Sequence, residues 1–357
     1  MENQSPHSDK PCIISTYRLT KTFGKLVAVN DLQLQVMRGD VFGFLGPNGS
    51  GKTTTIRMLL GLIRPTAGRI QLFGMDANKH RSAILPRIGA IIETPVFYPY
   101  LSGIDNLRAI AASSNMQLGK VNNRRINEVL DIVDLRSRAN DAYRKYSLGM
   151  KQRLGIAAAL LADPELVLLD EPTNGLDPEG VHEIRQLILR LSSLGKTIFL
   201  SSHILYEVQQ VCNRVAILQK GNLLKQGDVD ELLRQGEQLI VRMDTSEETE
   251  MALHILQQAS KDTMTWISNV SKVTDQQNTL ALRLRGAGVQ PSKLAALLAE
   301  YRLFIAEMYP HRTSLEEFYM DVTNQSTKEM HPGMAALATA TPSMTPELTN
   351  SRKRGKE

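Results

Sequence analysis

The run Gly46-Pro47-Asn48-Gly49-Ser50-Gly51-Lys52-Thr53 has the spacing G-x-x-x-x-G-K-[ST], which suits the phosphates of a nucleotide. Glycines let consecutive backbone N–H groups curl toward an anion, and a helix beginning near Lys52 points its positive end at the same place. Lys52 supplies charge for the β- and γ-phosphates, Thr53 supplies a hydroxyl for Mg²⁺, and Thr54 follows in the same turn. Farther along, Leu166-Val167-Leu168-Leu169-Asp170-Glu171 sets two adjacent carboxylates at the end of an apolar strand. Asp170 is suited to hold Mg²⁺ through water and Glu171 to polarise an attacking water. Parallel sheets bind ligands at the carboxyl ends of their strands, so both groups face one crevice. The two motifs together point to nucleotide hydrolysis.

A sheet and helices must bring these groups together, and the hydropathy pattern contains both. Alternation at Ile13, Ser15 and Tyr17, and then at Val27, Val29, Leu32, Leu34 and Val36, predicts half-buried strands. The apolar run Val41–Leu45 predicts a buried strand directly before the glycine-rich loop. Residues 53–62 are helical in character, stop at Gly61 and meet Pro65, so strand, loop and helix follow in the required order. Strand character returns at 166–169, 197–200 and 215–218, separated by helical patterns at 154–161, 181–194 and 205–211. That alternation implies an α/β fold with a largely parallel sheet covered on both faces. Helical spacing within 101–143 reads as a helical insertion, at about 95–145.

After residue 236 a second pattern begins, with strand 238–243, helix 250–259, strands 266–273 and 280–284, helix 291–300 and strand 303–308. The order βαββαβ suggests a small ferredoxin-like α+β unit. A last helix is expected over 314–322. From about residue 325 the sequence loses periodicity, which predicts a disordered tail, and its final stretch 351–357 carries four basic residues. The expected domains are therefore 13–236, an accessory unit at 237–323 and a disordered basic tail at 324–357.

Composition excludes several classes. The chain has 357 residues, a net charge of 42 − 37 = +5, 42% hydrophobic and 22% charged residues, which fits globular domains and not a disordered chain. Cys12 and Cys212 lie 212 − 12 = 200 positions apart without metal-ligand spacing, so a disulfide scaffold is not expected. The longest aliphatic stretch, 156–162, is seven residues long, against about 20 needed to span a bilayer. The opening MENQSPHSDK lacks the apolar core of a signal peptide.

Tyr146-Ser147-Leu148-Gly149-Met150-Lys151-Gln152-Arg153 resembles the signature sequence of the ATP-binding subunits of ABC transporters. In the family pattern L-S-G-G-Q, Ser147 and Gly149 match while Tyr146, Leu148 and Met150 depart; Gln152 and Arg153 match the usual continuation. The resemblance covers roughly 13–236 and implies an ABC-type P-loop NTPase that binds ATP and Mg²⁺. By the same resemblance Phe23 stacks on adenine and Asp177, in Asn174-Gly175-Leu176-Asp177, lies at a dimer interface. His203, in Ser201-Ser202-His203, is then the switch histidine that meets the γ-phosphate and partners Glu171 in catalysis. The family's Mg²⁺-binding glutamine is here Glu93, which keeps a hard oxygen for the cation beside Thr53 and Asp170. Glu93 and YSLGMKQR together are similar to the branch containing bacitracin and lantibiotic self-immunity transporters.

In the family each ATP lies between the phosphate loop of one copy and the signature of the other, and this chain has one of each. The resemblance thus implies a head-to-tail dimer, with itself or a paralogue, and a separate integral membrane permease. It implies an exporter of a drug, peptide antibiotic or lipid-like compound, working at the cytoplasmic face of the membrane, with no nucleic acid involved. The C-terminal unit resembles extensions of drug-exporter ATPases, which suggests a dimer-stabilising or regulatory role. A non-transport ABC ATPase of translation or DNA maintenance would carry two nucleotide sites or a long coiled-coil insert. A GTPase would need N-K-x-D where the chain has Asn78-Lys79-His80-Arg81.

Overall fold

A computed structural model describes residues 10–93, 95–113, 123–234, 237–273, 276–285 and 290–330. The twelve-residue strand β1 (Cys12–Phe23) forms as expected but turns Ile14, Thr16 and Leu19 inward, whereas Tyr17 of the expected Ile13, Ser15 and Tyr17 face is exposed, because burial follows the opposite side of the pleat. It pairs antiparallel with β2 (Leu26–Leu32), β3 (Gln35–Met37) and β5 (Ala67–Leu72), and β6 (Met75–Asp76) extends the edge.

β4 (Val41–Leu45) has five buried residues in a row, the mark of a strand covered on both faces. It lies inside a six-stranded sheet of order β11-β10-β4-β9-β8-β7. The other members are β7 (Ile88–Ile91), β8 (Leu166–Asp170), β9 (Thr197–Ser202), β10 (Arg214–Gln219) and β11 (Asn222–Asp228). All neighbours are parallel except β10 and β11. Successive side chains of β4 separate two cores. Phe42 and Phe44 pack with Phe199, Ile56 and Leu59 toward the antiparallel sheet, whereas Val41 and Leu45 join Leu169, Leu200 and the helices behind. The Phe42 and Phe199 rings stack at 5.6 Å.

The helices are α1 (Lys52–Leu59), α2 (Arg81–Ile84), α3 (Gly103–Ser113), α4 (Asn123–Ile132), α5 (Leu148–Leu160), α6 (Pro178–Ser193), α7 (Leu205–Val211) and α8 (Val229–Arg234). α3 and α4 lie in the expected insertion and bury Leu107, Ile126, Val129 and Leu130 in the helix-side core; residues 114–122 lie outside the described residues. A hairpin that the sequence pattern does not predict joins β10 to β11. Lys220 and Gly221 both take positive φ (47° and 83°), the two-residue turn whose twist suits antiparallel strands.

Four more strands, β12 (Gln238–Arg242), β13 (Ile267–Lys272), β14 (Thr279–Leu284) and β15 (Glu307–His311), form an antiparallel sheet of order β13-β14-β12-β15. With α9 (Ser246–Asp262) and α10 (Pro291–Glu300) they follow the order βαββαβ around a core of Leu239, Val241, Leu256, Leu280, Leu282 and Leu298. The last strand differs from the expected 303–308. Arg302 adopts φ 59°, its N–H donates to Ala299 O and the Leu303 N–H donates to Leu298 O, a Schellman close to α10. Leu303 is therefore apolar because it seals a helix end, and pairing starts four residues later.

The final helix α11 (Leu315–Met330) also runs past the expected residue 322, so the first residues assigned to a tail are helical. Ser314 and Glu317 cap it reciprocally, and Leu315, Phe318 and Tyr319 pack into the helix-side core of the parallel sheet. Residues 331–357, with the basic stretch, lie outside the described residues. Cys12 and Cys212 are free thiols, and burial pushes both upward in pKa.

One charge cluster sets an acid limit on this fold. Glu165 accepts from Arg87 Nε at 2.5 Å and pairs with Arg38 at 2.8 Å; the Arg87 hydrogen bond chiefly holds its carboxyl below the ordinary range. A lowered folded pKa stabilises above the unfolded value and is lost as pH falls through the folded one. Melting temperature is therefore expected to fall between about pH 5 and pH 3, with a shallower acid limb in Glu165→Gln. Parallel limbs would contradict this.

Candidate active site

β4 ends at Leu45, the glycine-rich loop follows, and α1 starts at Lys52 with Gly51 as its N-cap at φ 103°. This is the strand, loop and helix order that the spacing required. Lys52 is 5% exposed; its Nζ donates to Gly46 O at 2.7 Å and to Pro47 O at 3.2 Å, and lies 3.0 Å from Glu171 Oε1. The cation thus closes the loop around its own carbonyls and points back toward the strand ends. Thr53 and Thr54 stand partly exposed in the first turn of α1.

β8 and β9 are parallel neighbours with Asp170 opposite Ser201, so their ends deliver the acidic pair and the histidine together. Ser201 Oγ donates to Asp170 Oδ1 at 2.5 Å and accepts from the Glu171 N–H at 2.9 Å. Glu171 adopts φ 48°, an uncommon conformation that turns its side chain off the strand line. One carboxylate oxygen meets Lys52, and the other lies 2.6 Å from His203 Nδ1. Glu171 is therefore held between a cation and an imidazole. Sequence reasoning found Asp170, Glu171 and His203 but missed Ser201, whose role depends on sheet register.

The loop fits a phosphate on two observations. Ser50 is buried, and among the described residues its Oγ has no hydrogen-bond partner, which suits a hydroxyl that donates to a phosphate oxygen. A Cβ at Gly46 would lie 2.5 Å from that Oγ and 2.6 Å from the Leu218 carbonyl oxygen, so the loop can close this tightly around the Ser50 hydroxyl only because residue 46 has no side chain.

Phe23 closes β1 half-exposed, with Lys21 Nζ 4.9 Å from its ring centre, and keeps ring surface open for stacking. Glu93 is not joined to Asp170: it takes φ 64° and pairs with Arg57, one turn along α1 from Thr53. Ser147 and Asp177 cap their helices, Ser147 Oγ accepting from Met150 N and Asp177 Oδ1 from Gly180 N. These helix starts touch, since a Cβ at Gly149 would lie 3.7 Å from Gly180 Cα, and Arg153 joins Glu183 at 3.2 Å behind them. Among the described residues no hydrogen bond or ion pair ties Ser147, Gly149 or Asp177 to the phosphate loop of the same chain. Tyr146, which replaces the pattern's leucine, is buried and donates to Arg138 O at 2.8 Å, anchoring the signature to the helical insertion.

Residues 29–174 match the sequence profile described as ABC transporter. A bacitracin transport ATP-binding protein of Bacillus licheniformis is 50% identical over 224 residues, covering 62% of this chain and 72% of that protein. The chain belongs to the ABC transporter ATP-binding family. A Nod factor export ATP-binding protein of Cupriavidus pinatubonensis is similar to this ABC ATPase at 38% identity over 221 residues, 62% of this chain and 68% of that one. A solved ATP-binding subunit of an ABC transporter aligns with TM-score 0.55 and 30% identity over 62% of this chain and 92% of that chain. This ABC ATPase is an ATP-binding, ATP-hydrolysing subunit, and Lys52 of its loop, Glu171 of the acidic pair and His203 meet at the strand ends.

Proposed function

We propose that the chain powers an ABC exporter, coupling ATP turnover to efflux of a drug, peptide antibiotic or lipid-like compound through a separate membrane permease. The observation that carries the hydrolytic part is Glu171 held between Lys52 and His203 at the end of β8. The likeness to bacitracin transport and Nod factor export proteins supports the transport part.

Glu171 takes the proton of the attacking water, His203 orients that carboxylate and meets the γ-phosphate, and Lys52 turns from Glu171 to the phosphates. The backbone amides from Gly46 to Thr54, with the α1 N-terminus, neutralise the remaining charge, and Phe23 stacks on adenine. The hydroxyl of Thr53 and carboxylate of Asp170 are hard oxygen donors that fit Mg²⁺, joined by Glu93 once it leaves Arg57. When bound, the cation neutralises charge on the β- and γ-phosphates. Ser147, Gly149 and Asp177 serve the nucleotide of a second copy or a paralogue in a head-to-tail dimer.

Among the described residues no helix is long and apolar enough to cross a membrane, so the solute path belongs to a partner. The exposed Val96, Tyr98 and Tyr100 beside Glu93, together with the insertion, form its docking surface at the cytoplasmic face. Residues 237–323 form an accessory domain that stabilises the dimer or regulates it. The test traps the full chain as Glu171→Gln with ATP and Mg²⁺ in its own cells, solubilises the membranes gently and identifies what co-purifies. A polytopic membrane protein is expected; ribosomes or DNA-bound proteins in its place would overturn the transport reading.

A further inference from the structure

Glu171 and His203 stand on separate segments, one after β8 and one after β9, and their direct contact is a single 2.6 Å approach. Besides this contact and the bond from the Glu171 N–H to Ser201 Oγ, a further tie lies just beyond. Thr173, two residues after Glu171, donates its hydroxyl to Glu207 Oε2 at 2.5 Å, and Glu207 stands on α7, four residues after His203. A hydrogen bond to a carboxylate is short and strong, and this one is partly buried. Beneath it is a mostly apolar cavity lined by Pro172, Thr173, Leu200, Ser202, Glu207 and Val208. α6 supplies the other wall of this cavity through Val181, Arg185 and Ile188, and at its rim the Thr173–Glu207 bond is a direct polar link between the loop after β8 and α7.

The far side of α7 is also held. Gln209 Oε1 accepts from the Leu315 N–H at 2.9 Å, and Leu315 is fully buried where α11 packs onto the body of the fold. Residues two apart on a helix project in nearly opposite directions. α7 is thereby fastened on one side to the loop bearing Glu171 and on the other to the C-terminal helix. Glu171 itself sits at φ 48°, a conformation that persists only when its surroundings over-determine it.

We propose that Glu207 is a positioning residue for ATP hydrolysis: through Thr173 it sets the spacing of the Glu171 carboxylate and the His203 imidazole. The inference rests on the assignment of those two residues as the hydrolytic pair. Neither Thr173 nor Glu207 has to touch nucleotide for this, so the expected effect falls on the chemical step and not on ATP affinity.

The test is steady-state ATP hydrolysis by the full chain. Glu207→Ala is expected to lower kcat by about tenfold to a hundredfold, with KM for ATP within about threefold, because an ångström-scale misplacement costs rate more than binding. Glu207→Gln retains an acceptor oxygen and is expected to recover to within about fivefold of the parent. Thr173→Val removes the donor with little change of shape; it should match Glu207→Ala, and the double variant should be no slower than either single one. If Glu207→Ala does not fold, Thr173→Val carries the test. Parent-like turnover in Thr173→Val, a change in KM alone, or losses that multiply in the double variant would overturn the proposal. Glu171→Gln is run alongside. If it hydrolyses ATP normally, the underlying assignment fails; if it is inactive while Thr173→Val is normal, only the positioning role fails.

Discussion

Glu171→Gln is expected to bind ATP at least as tightly as the parent and to lose steady turnover by about a hundredfold to ten-thousandfold, the span associated with a positioned general base. The substitution keeps the shape of the side chain, with one oxygen left to accept from Lys52 and an NH₂ group placed to donate to His203 Nδ1. What it removes is basicity, together with one negative charge 3.0 Å from Lys52. In the parent, incoming phosphates compete with Glu171 for that lysine. Without the carboxylate charge Lys52 is freer to face the nucleotide, so affinity holds or improves while the water loses its proton acceptor. Titration with a fluorescent ATP analogue, paired with phosphate release, separates the two effects. Continued hydrolysis at the parent rate would remove Glu171 from the chemistry, and loss of binding would show that its contact with Lys52 is needed to form the loop.

The parts of this site that are legible in the sequence depend on short spacing. The glycines and Lys52 announce themselves within eight residues, and Asp170-Glu171 follows a short apolar run that reads as a buried strand and is one. The residues that escape sequence reasoning work across long separations. Ser201 bridges to Asp170 only because β8 and β9 pair in that register, and Thr173 meets Glu207 across 34 residues of sequence, a contact no local pattern names. Glu93 shows a subtler gap: its residue type suits a cation, yet Arg57 engages it in this structure, and no local pattern names that partner. In the C-terminal unit the apolar spacing gives the order of elements, but Leu303 misleads because a helix-closing residue and a strand residue are equally apolar. α11 extends beyond its apolar turns because Leu315, Phe318 and Tyr319 dock its start on the distant nucleotide-binding body.

Gly51→Ala is expected to weaken ATP binding by at least about a hundredfold, and a comparison with Gly195→Ala isolates the reason. Both glycines have positive φ, 103° and 79°, so a methyl group at either position carries left-handed strain of about 1–2 kcal/mol. At Gly195 no atom lies within 4 Å of the added Cβ, and strain is the whole effect. At Gly51 the Cβ would stand 2.5 Å from the Ala28 carbonyl oxygen and 3.1 Å from a Val29 methyl. That carbonyl cannot simply retreat. The neighbouring Asn30 N–H is bonded to Gly221 O, and the Gly221 N–H to Ser50 O, so β2, the β10–β11 turn and the phosphate loop are linked. The collision must therefore be relieved by moving the start of α1, where Lys52 and the amides that meet the phosphates stand. Gly195→Ala should lower stability modestly and leave the ATP dissociation constant within about twofold, whereas Gly51→Ala should lose affinity even at temperatures where it is folded. Equal ATP affinity in the two variants would show that the loop tolerates a side chain at residue 51 and that its close approach to β2 does not shape the phosphate site.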